Sequence, residues 1–339
     1  MEKCEVSVIC TVYNHEEYLK KCLDGFISQR TNFNFEVIVH DDASTDHSAS
    51  IIKEYENKYP TIIKAIYQKE NQYSKAVNIV KDIMIPKAQG KYIALCEGDD
   101  YWIDNNKLQM QYDYIEKHPK CSLVSHFSYL YRERERIMEI YTPKRLLTSS
   151  DHILREIDIF SRHGVIHTSS LFFRKDYYYK YKSLLDRVKS YDYVYKMLLV
   201  TEGYFFVIPK IMSVYRYGSR NSWATTIGNT DIGYTKTLKE QNYFLNNLNV
   251  YTNHKYSEYI AECIRVNHFR LLKIRLDFRR MKSPKYVDLY NKMGILEKIA
   301  LRIKWLSPVM YSFLYDHISP NLRILYNNIR YHNKMRYRN

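Results

Sequence analysis

Residues 90–102 read GKYIALCEGDDYW, an apolar, strand-like run followed at once by three carboxylates. Glu97, Asp99 and Asp100 are so close along the chain that each raises the free-energy cost of ionising the others, unless solvent or a cation compensates. Clustered carboxylates at a strand end can bind Mg²⁺ or Mn²⁺, with water and a substrate phosphate completing the coordination shell. A single Asp here is read more simply as a turn cap. The whole cluster favours a metal site.

Strand and helix patterns alternate around this stretch over residues 1–125. EVSVICTVY and FEVIVH are rich in β-branched residues, and residues 16–28 have apolar side chains at helical spacing. DDASTD, after the second strand, favours a turn and a helix cap. Further elements are predicted as strands at 62–67 and 91–96 and as a helix at 75–84. This alternation predicts an α/β fold with a mostly parallel sheet and flanking helices.

Both acidic clusters, Asp41 with Asp42 and Glu97 with its neighbours, follow predicted strands. In open sheets of this kind, ligands bind at the carboxyl ends of the strands. The usual phosphate-binding loops are missing, since the chain has no GxGxxG and no GxxxxGK[ST] motif and only 9 glycines. A nucleotide bound here is therefore expected to depend on a divalent ion held by carboxylates.

Three segments, in this order and spacing, resemble the family 2 glycosyltransferases, which have the GT-A (Rossmann-like) fold. They are SVICTVYNHEEYLKKCLDGFISQ from residue 7, FEVIVHDDASTD from residue 35, and GKYIALCEGDDYW. The similarity is strong over residues 5–125 and weaker to about residue 224. The resemblance implies transfer of a sugar from a nucleotide diphosphate sugar. It also suggests a role in the assembly of bacterial surface polysaccharides such as capsule or lipopolysaccharide.

The resemblance also assigns donor and metal residues. Glu97, Asp99 and Asp100 correspond to the DxD element, with Asp99 as the expected direct ligand of Mn²⁺ or Mg²⁺. Glu97 stands where many members have Asp, and both a metal contact and a sugar contact stay open for its longer side chain. The expected contacts to the donor base and ribose are Thr11, Tyr13, Asn14 and Asp41.

The acceptor side follows in HTSSLFFRK, from residue 167, and in SYDYVYKMLLVTEGYFFVIPKIMSVYRYGSRNSW, from residue 190. Asp192 occupies the family's catalytic-base position, and an Asp at a helix start can take the proton of an acceptor hydroxyl. Taken without the resemblance, Asp192 is better read as a helix cap. Two roles stay open for His167: it lines the acceptor site, or it is a structural histidine.

Arg216, Arg220 and Trp223 fall in one loop after the last of these strands. A guanidinium binds phosphate oxygens and an indole stacks on a sugar face, so Arg216 and Trp223 are expected to close over the donor. The alternative is a basic surface loop with one packed Trp.

The predicted reaction is a metal-dependent, inverting, non-processive transfer to a hydroxyl of a glycan or lipid-linked acceptor. Single-sugar addition is favoured because the QxxRW motif and membrane spans of processive synthases are not visible. A protein of another class stays open as the alternative: a catalytically silent sugar-nucleotide-binding or glycan-binding protein on the same fold.

Cysteine usage and hydropathy predict a cytoplasmic protein. The 6 cysteines are scattered without a CxxC pair, which argues against a zinc site or a disulfide scaffold. MEKCEVSVICTVYN lacks the features of a signal peptide. The longest apolar stretch, around residues 197–215, is interrupted by charged residues, Gly and Pro, so no transmembrane helix is expected.

Charge separates a second region from the first. The net charge is +15, and residues 264–339 hold 17 Lys and Arg against 4 Asp and Glu. We predict a catalytic domain over 1–228, with a nucleotide-sugar half at 1–125 and an acceptor half at 126–228, and a basic helical region over 229–339.

The C-terminal region is predicted to form amphipathic helices in TLKEQNYFLNNL, YIAECIRVNHFRLLKIRLDFRRM and ILEKIALRIKWL. Such helices can lie on an anionic membrane surface, here the inner face of the cytoplasmic membrane, or can pack on the catalytic domain. Both interpretations stay open. Nucleic acid ranks below them as a partner, because the 35 tyrosines are spread through the chain and no RNA-binding motif is present.

Overall fold

The computed structural model describes residues 3–142, 144–148, 150–161, 166–185, 188, 191–220, 222 and 230–317. The chain divides into two compact units. The first comprises Met1–Ile159 and Val165–Thr230, and the second comprises Phe160–Gly164 and Asp231–Asn339. The domain boundaries predicted from the sequence stay predictions, because a compact unit is not by itself an independently folding domain.

The first unit is built on one mixed sheet. Its strands are β1 (Cys4–Val12), β2 (Asn34–Asp41), β3 (Ile63–Tyr67), β4 (Tyr92–Leu95), β5 (Tyr101–Trp102), β6 (Cys121–Arg132), β7 (Ile137–Tyr141), β8 (Ile153–Leu154), β9 (Phe172–Arg174) and β10 (Tyr204–Tyr217). Their order is β3-β2-β1-β4-β9-β6-β10-β5, with β7 paired to β6 and β8 paired to β10.

The N-terminal strands of this sheet are parallel. Val8 lies between Val37 of β2 and Ala94 of β4, and β3 pairs parallel to β2. Antiparallel pairing enters with β9, which lies between β4 and β6. The predicted α/β fold, an open sheet with flanking helices and a helical C-terminal region, is confirmed. The sheet is mixed rather than mostly parallel, because β5, β7, β8 and β9 all pair antiparallel.

Helices of the first part of the chain cover the sheet or connect its strands. They are α1 (Glu16–Ile27), α2 (Ser48–Lys58), α3 (Lys107–Lys117), α4 (Lys144–Thr148), α5 (Glu156–Ser161), α6 (Asp176–Tyr181) and α7 (Tyr191–Leu199). In α1, Leu19, Leu23 and Phe26 face the sheet at the predicted helical spacing and are fully buried. Burial of side chains of this size contributes about 1.5–3 kcal/mol each.

The helix predicted over residues 75–84 is shorter than expected. The segment becomes helical only over Ile79–Met84, as a π-helix, and continues as a 3-10 turn over Ile85–Lys87. Asn78 caps it by accepting the backbone N–H of Lys81 at 3.0 Å. Ala76 has a φ of 67°, a left-handed conformation that an α-helix does not allow.

The second unit is helical. Its helices are α8 (Asp231–Tyr251), α9 (Ser257–Ile274), α10 (Phe278–Met281), α11 (Val287–Lys292), α12 (Ile295–Leu306) and α13 (Pro308–His317). They enclose a separate apolar cluster that includes Phe269, Met281 and Leu289. Across the described part of the chain, none of the helices combines the length and the apolar character that crossing a bilayer requires.

Candidate active site

Parallel pairing brings the carboxyl ends of β1 and β4 side by side. The ladder continues past β4, since the N–H of Cys96 donates to the carbonyl of Ile9 at 3.1 Å and that of Gly98 to the carbonyl of Thr11 at 2.9 Å. At Gly98 there is no room for a side chain, because an added Cβ would lie 2.8 Å from Nδ1 of His15. The acidic turn is therefore held against the end of β1.

Glu97, Asp99 and Asp100 form a compact acidic cluster there. One carboxylate oxygen from each lies within 4.8 Å of the others. Asp99 and Asp100 are buried, and Oδ2 of Asp100 has no hydrogen-bond partner. Burial, and then the charges of Asp99 and Glu97, raise the pKa of Asp100 well above its usual range. Three oxygen donors and an unsatisfied buried oxygen fit a hard divalent cation such as Mg²⁺ or Mn²⁺.

The end of β10 and the residues after it close on this cluster. Arg216, predicted in a loop, lies in β10 itself, paired with Tyr131 of β6. The backbone N–H of Arg216 donates to Oδ1 of Asp100 at 2.9 Å, and Oγ of Ser219 donates to Oδ2 of Asp99 at 2.5 Å. The Arg216 guanidinium lies 4.8 Å from the ring centre of Tyr101 and donates to Glu133 at 2.7 Å. The structure thus brings the predicted Arg216 to the acidic cluster through its backbone.

The rest of this loop is only partly described. The backbone N–H of Arg220 donates to the hydroxyl of Tyr18 at 3.2 Å, and the Arg220 side chain is exposed. Trp223 lies outside the described residues, so its role over the donor stays a prediction.

The predicted donor residues line the ends of β1 and β2. Asn14 has a left-handed φ of 54° and its Oδ1 accepts the N–H of Thr45 at 2.7 Å, which joins the two strand-end loops. Asp41 is buried beside them. Its Oδ2 accepts the N–H of Ser44 at 3.3 Å, whereas its Oδ1 has no hydrogen-bond partner, and burial raises its pKa. Asp41 therefore offers an unpaired acceptor at the edge where a nucleotide would bind.

Thr11 and Tyr13 complete that edge. The carbonyl of Thr11 is engaged by Gly98, as above, and the ring of Tyr13 is exposed to solvent. The neighbouring Asp42 instead fixes the backbone after β3. Its two carboxylate oxygens accept the backbone N–H groups of Gln72 and Tyr73 at 2.7 and 3.1 Å.

Asp192 lies in the first turn of α7, as the sequence predicts, with its side chain 40% exposed. Its Oδ2 lies 3.1 Å from Nζ of Lys196, one helical turn on. The buried Lys196 also donates to the carbonyl of Ile166 at 3.3 Å. The next residue, His167, has Nδ1 3.5 Å from Oδ2 of Asp100. Asp192 is thus connected to the acidic cluster through Lys196 and the two adjoining residues Ile166 and His167, which are joined by the chain itself.

His167 is held in place by Ser169 and Tyr215. Its Nδ1 accepts the backbone N–H of Ser169 at 3.2 Å, and its ring stacks on Tyr215 with ring centres 3.8 Å apart. Both of the alternatives left open for His167 are compatible with this position, since it is buried and also contacts Asp100.

Sequence reasoning missed Ser219 and Lys196. Each acts on a predicted site carboxylate, Ser219 on Asp99 and Lys196 on Asp192. The i,i+4 spacing of Asp192 and Lys196 was a usable signal. Ser219 gave none, because it is separated from Asp99 by 120 residues and a serine in a polar loop has no distinguishing pattern.

Sequence relatives include both uncharacterised and named proteins. An uncharacterized protein of Mycobacterium tuberculosis is 33% identical over 222 residues, covering 64% of this chain and 60% of its own. The chain thus spans less than two thirds of that relative's length. An uncharacterized glycosyltransferase of Methanocaldococcus jannaschii is 26% identical, covering 84% of this chain and 96% of its own. The putative teichuronic acid biosynthesis glycosyltransferase TuaG of Bacillus subtilis is 31% identical, covering 32% and 41%.

Solved structures share the fold. S. aureus TarS 1-349 in complex with UDP-GlcNAc has a TM-score of 0.56 at 16% identity, covering 98% of this chain and 89% of its own. The mannosyltransferase PcManGT of Pyrobaculum calidifontis, in complex with GDP-Man and Mn²⁺, has a TM-score of 0.51 at 14% identity, covering 96% and 87%. The family model described as glycosyl transferase family 2 matches residues 7–181, just over half of the 339-residue chain. The chain belongs to glycosyl transferase family 2.

Proposed function

We propose that the protein transfers one sugar from a nucleotide diphosphate sugar to a hydroxyl of a glycan or lipid-linked acceptor, with inversion and with the help of a divalent cation. The observation that carries this proposal is the convergence of Glu97, Asp99 and Asp100 at the carboxyl edge of the sheet, where Arg216 of β10 and Ser219 contact them. In α/β folds this edge is where nucleotides bind.

Mn²⁺ or Mg²⁺ is the expected cofactor, held by Asp99 and Glu97. The cation would neutralise charge on the diphosphate leaving group. Asp100 completes the cluster, and its Oδ1 also holds Arg216 through the backbone N–H of that residue. Thr11, Tyr13, Asn14 and Asp41 are proposed to contact the nucleoside, with the unpaired Oδ1 of Asp41 as an acceptor. Arg216 and Trp223 are proposed to lie over the diphosphate sugar.

Asp192 is proposed as the general base. Its carboxylate would take the proton of the acceptor hydroxyl as that oxygen bonds to the anomeric carbon and the bond to the nucleoside diphosphate breaks. A single displacement of this kind inverts the configuration at the anomeric carbon. Lys196 orients the carboxylate through its 3.1 Å contact.

The acceptor is proposed to belong to bacterial surface-polysaccharide synthesis. The relatives support this, since one carries the name poly(ribitol-phosphate) beta-glucosyltransferase and another is assigned to teichuronic acid biosynthesis. A lipid-linked acceptor would be presented at the inner face of the cytoplasmic membrane. The basic C-terminal region is proposed to hold the protein there peripherally.

Binding and slow hydrolysis of a panel of nucleotide sugars test the donor site. We expect one donor to be selected in Mn²⁺ or Mg²⁺. Its affinity should fall about tenfold or more with EDTA or in Asp99→Asn, because the charge that binds the cation is lost. The exposed Asp113→Asn is the control and should bind like the wild type.

Two results would argue against the proposal. Binding of no donor with any metal would remove the donor site. Metal-dependent binding of a donor that is neither hydrolysed nor transferred to any acceptor would support the silent sugar-nucleotide-binding alternative instead.

A further inference from the structure

On helix α12 the charged Glu297 faces the helical unit, as does Leu301, whereas several large apolar side chains face solvent. Glu297 is only 6% exposed, whereas Ile295 and Leu306 are 76% and 70% exposed. A surface helix of a globular protein normally has the opposite arrangement. Its outward side carries further exposed apolar side chains, Leu296 and Ile299.

Two ion pairs hold the helix in this rotation. Nζ of Lys273 on α9 lies 2.9 Å from Oε1 of Glu297, and both side chains are largely buried. Nζ of Lys304 donates to Oδ2 of Asp231 at 2.8 Å. Turning the apolar side inward would leave Glu297 and Lys273 without each other, and separating a buried pair is strongly unfavourable. The outward apolar side is therefore a specified feature of the unit.

The exposed surface continues into α13, which packs against α12. Val309 is 80% exposed and Met310 is also exposed. Trp305, 61% exposed, lies at the edge, where its ring meets that of Phe278 on α10 with centres 6.3 Å apart. We call this surface the outward apolar face and define it by Ile295, Leu296, Ile299, Leu306, Val309 and Met310.

Arginines flank the outward apolar face. Arg302 is exposed and follows Ile299 by three positions and precedes Leu306 by four, so it is on the same side of the helix. Arg279 and Arg280 are exposed and adjoin Phe278, the partner of Trp305. Arg280 also lines a cavity of about 330 Å³ together with Arg275, His268 and Ser283. The wall of this cavity thus carries guanidinium and hydroxyl groups, which can bind phosphate oxygens, although Nε of Arg280 also lies 3.5 Å from Oδ2 of Asp277.

We propose that the outward apolar face inserts into the headgroup boundary of an anionic bilayer, with lipid phosphates bound by Arg302 and by the cavity at Arg275 and Arg280. An apolar helix side with a boundary Trp and flanking cations is the composition of an interfacial helix. The proposal rests on the proposed function, since a lipid-linked acceptor would be presented at this surface. A second copy of the chain is the less favourable occupant, because 17 Lys and Arg against 4 Asp and Glu after residue 263 would repel their counterparts.

Vesicle co-sedimentation with the full chain tests the proposal. We expect binding to vesicles containing phosphatidylglycerol and weaker binding to phosphatidylcholine alone. Ile295→Gln with Leu306→Gln should lower the partition coefficient on the order of tenfold or more, because two inserted side chains are lost. Both positions are exposed, so the variant should keep its fold. The matched control is Ile232→Gln with Val250→Gln on α8, where the side chains are 85% and 66% exposed.

The cations and the tryptophan give independent readouts. Arg302→Gln should weaken binding to anionic vesicles about fivefold and leave binding to neutral vesicles unchanged. Anionic vesicles should shift the tryptophan emission to the blue, and Trp305→Phe should abolish that shift.

Equal vesicle binding by the Ile295/Leu306 variant and the Ile232/Val250 control would overturn the proposal. So would the absence of vesicle binding together with a dimer that the Ile295/Leu306 variant dissociates in sedimentation velocity, which would assign the face to a second copy. Donor binding measured on the same preparation separates this outcome from the catalytic proposal, because vesicle binding needs no donor site and donor binding needs no vesicle.

Discussion

Asp192 differs from the carboxylates of the acidic cluster in its surroundings. It is partly exposed and close to one cation, whereas Asp99 and Asp100 are buried among like charges. A partly exposed carboxylate at a helix start can accept the proton of an acceptor hydroxyl. The difference in exposure and in neighbouring charges thus distinguishes Asp192, the candidate base, from the aspartates that are candidate metal ligands.

Asp192→Asn tests the base directly. Transfer should fall about 10²- to 10⁴-fold, because an amide cannot take the proton of the acceptor hydroxyl. Donor affinity should stay unchanged. Asp176→Asn, at the first turn of α6, is the matched helix-start control and should transfer normally. Near-normal turnover of Asp192→Asn would show that another group takes the proton.

Lys107 has a fully buried amino group beside Trp102. Its Nζ donates to Oε1 of Gln111 at 2.7 Å and lies 3.8 Å from the ring centre of Trp102. Burial lowers its pKa to about 7. The unfolded chain keeps the lysine protonated up to about pH 10.4, so between these values the unfolded state binds more protons than the folded state. Folding stability at this site therefore rises with pH across that window.

Lys107→Met isolates this effect. The free energy of unfolding of the wild type should rise relative to that of the variant by up to about 1.4 kcal/mol per pH unit between pH ~7 and ~10.4. Below pH ~7 the difference should be constant, because both states are then protonated. Denaturant titrations across this range measure it, with the exposed Lys20→Met as control. A difference that does not vary with pH would contradict the lowered pKa of Lys107.

At the level of elements, β4 is enclosed at both ends by glycines that allow close approach. An added Cβ at Gly98 would lie 2.9 Å from Cγ2 of Val12 and 3.2 Å from the carbonyl oxygen of Thr11. An added Cβ at Gly90, before the strand, would lie 2.4 Å from the backbone nitrogen of Ser7. Of the two glycines, Gly98 is the one that lies within the acidic cluster.

Gly98→Ala should therefore displace the acidic turn, whereas Gly90→Ala should strain the opposite end of the strand. Both should lower stability by about 1–3 kcal/mol through overpacking. Metal-dependent donor affinity should fall about tenfold or more in Gly98→Ala alone, because catalytic geometry tolerates little displacement. Calorimetric titration of the folded variants measures this. Equal donor affinities in the two variants would show that the turn adapts without cost.

Local patterns predicted the elements whose formation depends on local chemistry. The β1, α1, β2 and β4 assignments follow from β-branched runs and helical spacing. The position of Asp192 at the start of α7 was expected from the family resemblance. The antiparallel insertion of β9 between β4 and β6 depends on pairing between residues far apart in the chain, which no local pattern encodes. The left-handed Ala76, which shortens the helix predicted over 75–84, is likewise a product of its context.

The same limit applies to the site. The carboxylates and Asp192 stand in recognisable motifs, but the bond from Ser219 to Asp99 exists only because β10 returns to the edge of the sheet. In α12, periodicity showed which residues share a side. The inward side was decided by Glu297 meeting Lys273 of another helix, which spacing within α12 cannot show.

At the scale of the whole molecule, the two compact units have separate apolar clusters. That of the sheet includes Val8, Leu23 and Phe26, and that of the helical unit includes Phe269 and Leu289. The units also differ in charge, since most of the excess of Lys and Arg lies after residue 263. A protein with two cores need not unfold in one step.

Leu289→Ala and Leu23→Ala test this division. Each removes a fully buried leucine and should cost about 2–5 kcal/mol of stability in its own unit. Because the proposed donor site is made entirely by the first unit, Leu289→Ala should keep donor affinity at denaturant concentrations where α8–α13 have already lost protection from hydrogen exchange. Leu23→Ala should lose donor binding and sheet protection together. If Leu289→Ala instead loses both at one denaturant concentration, the two units fold as a single cooperative body, and the proposal of a separate catalytic domain fails.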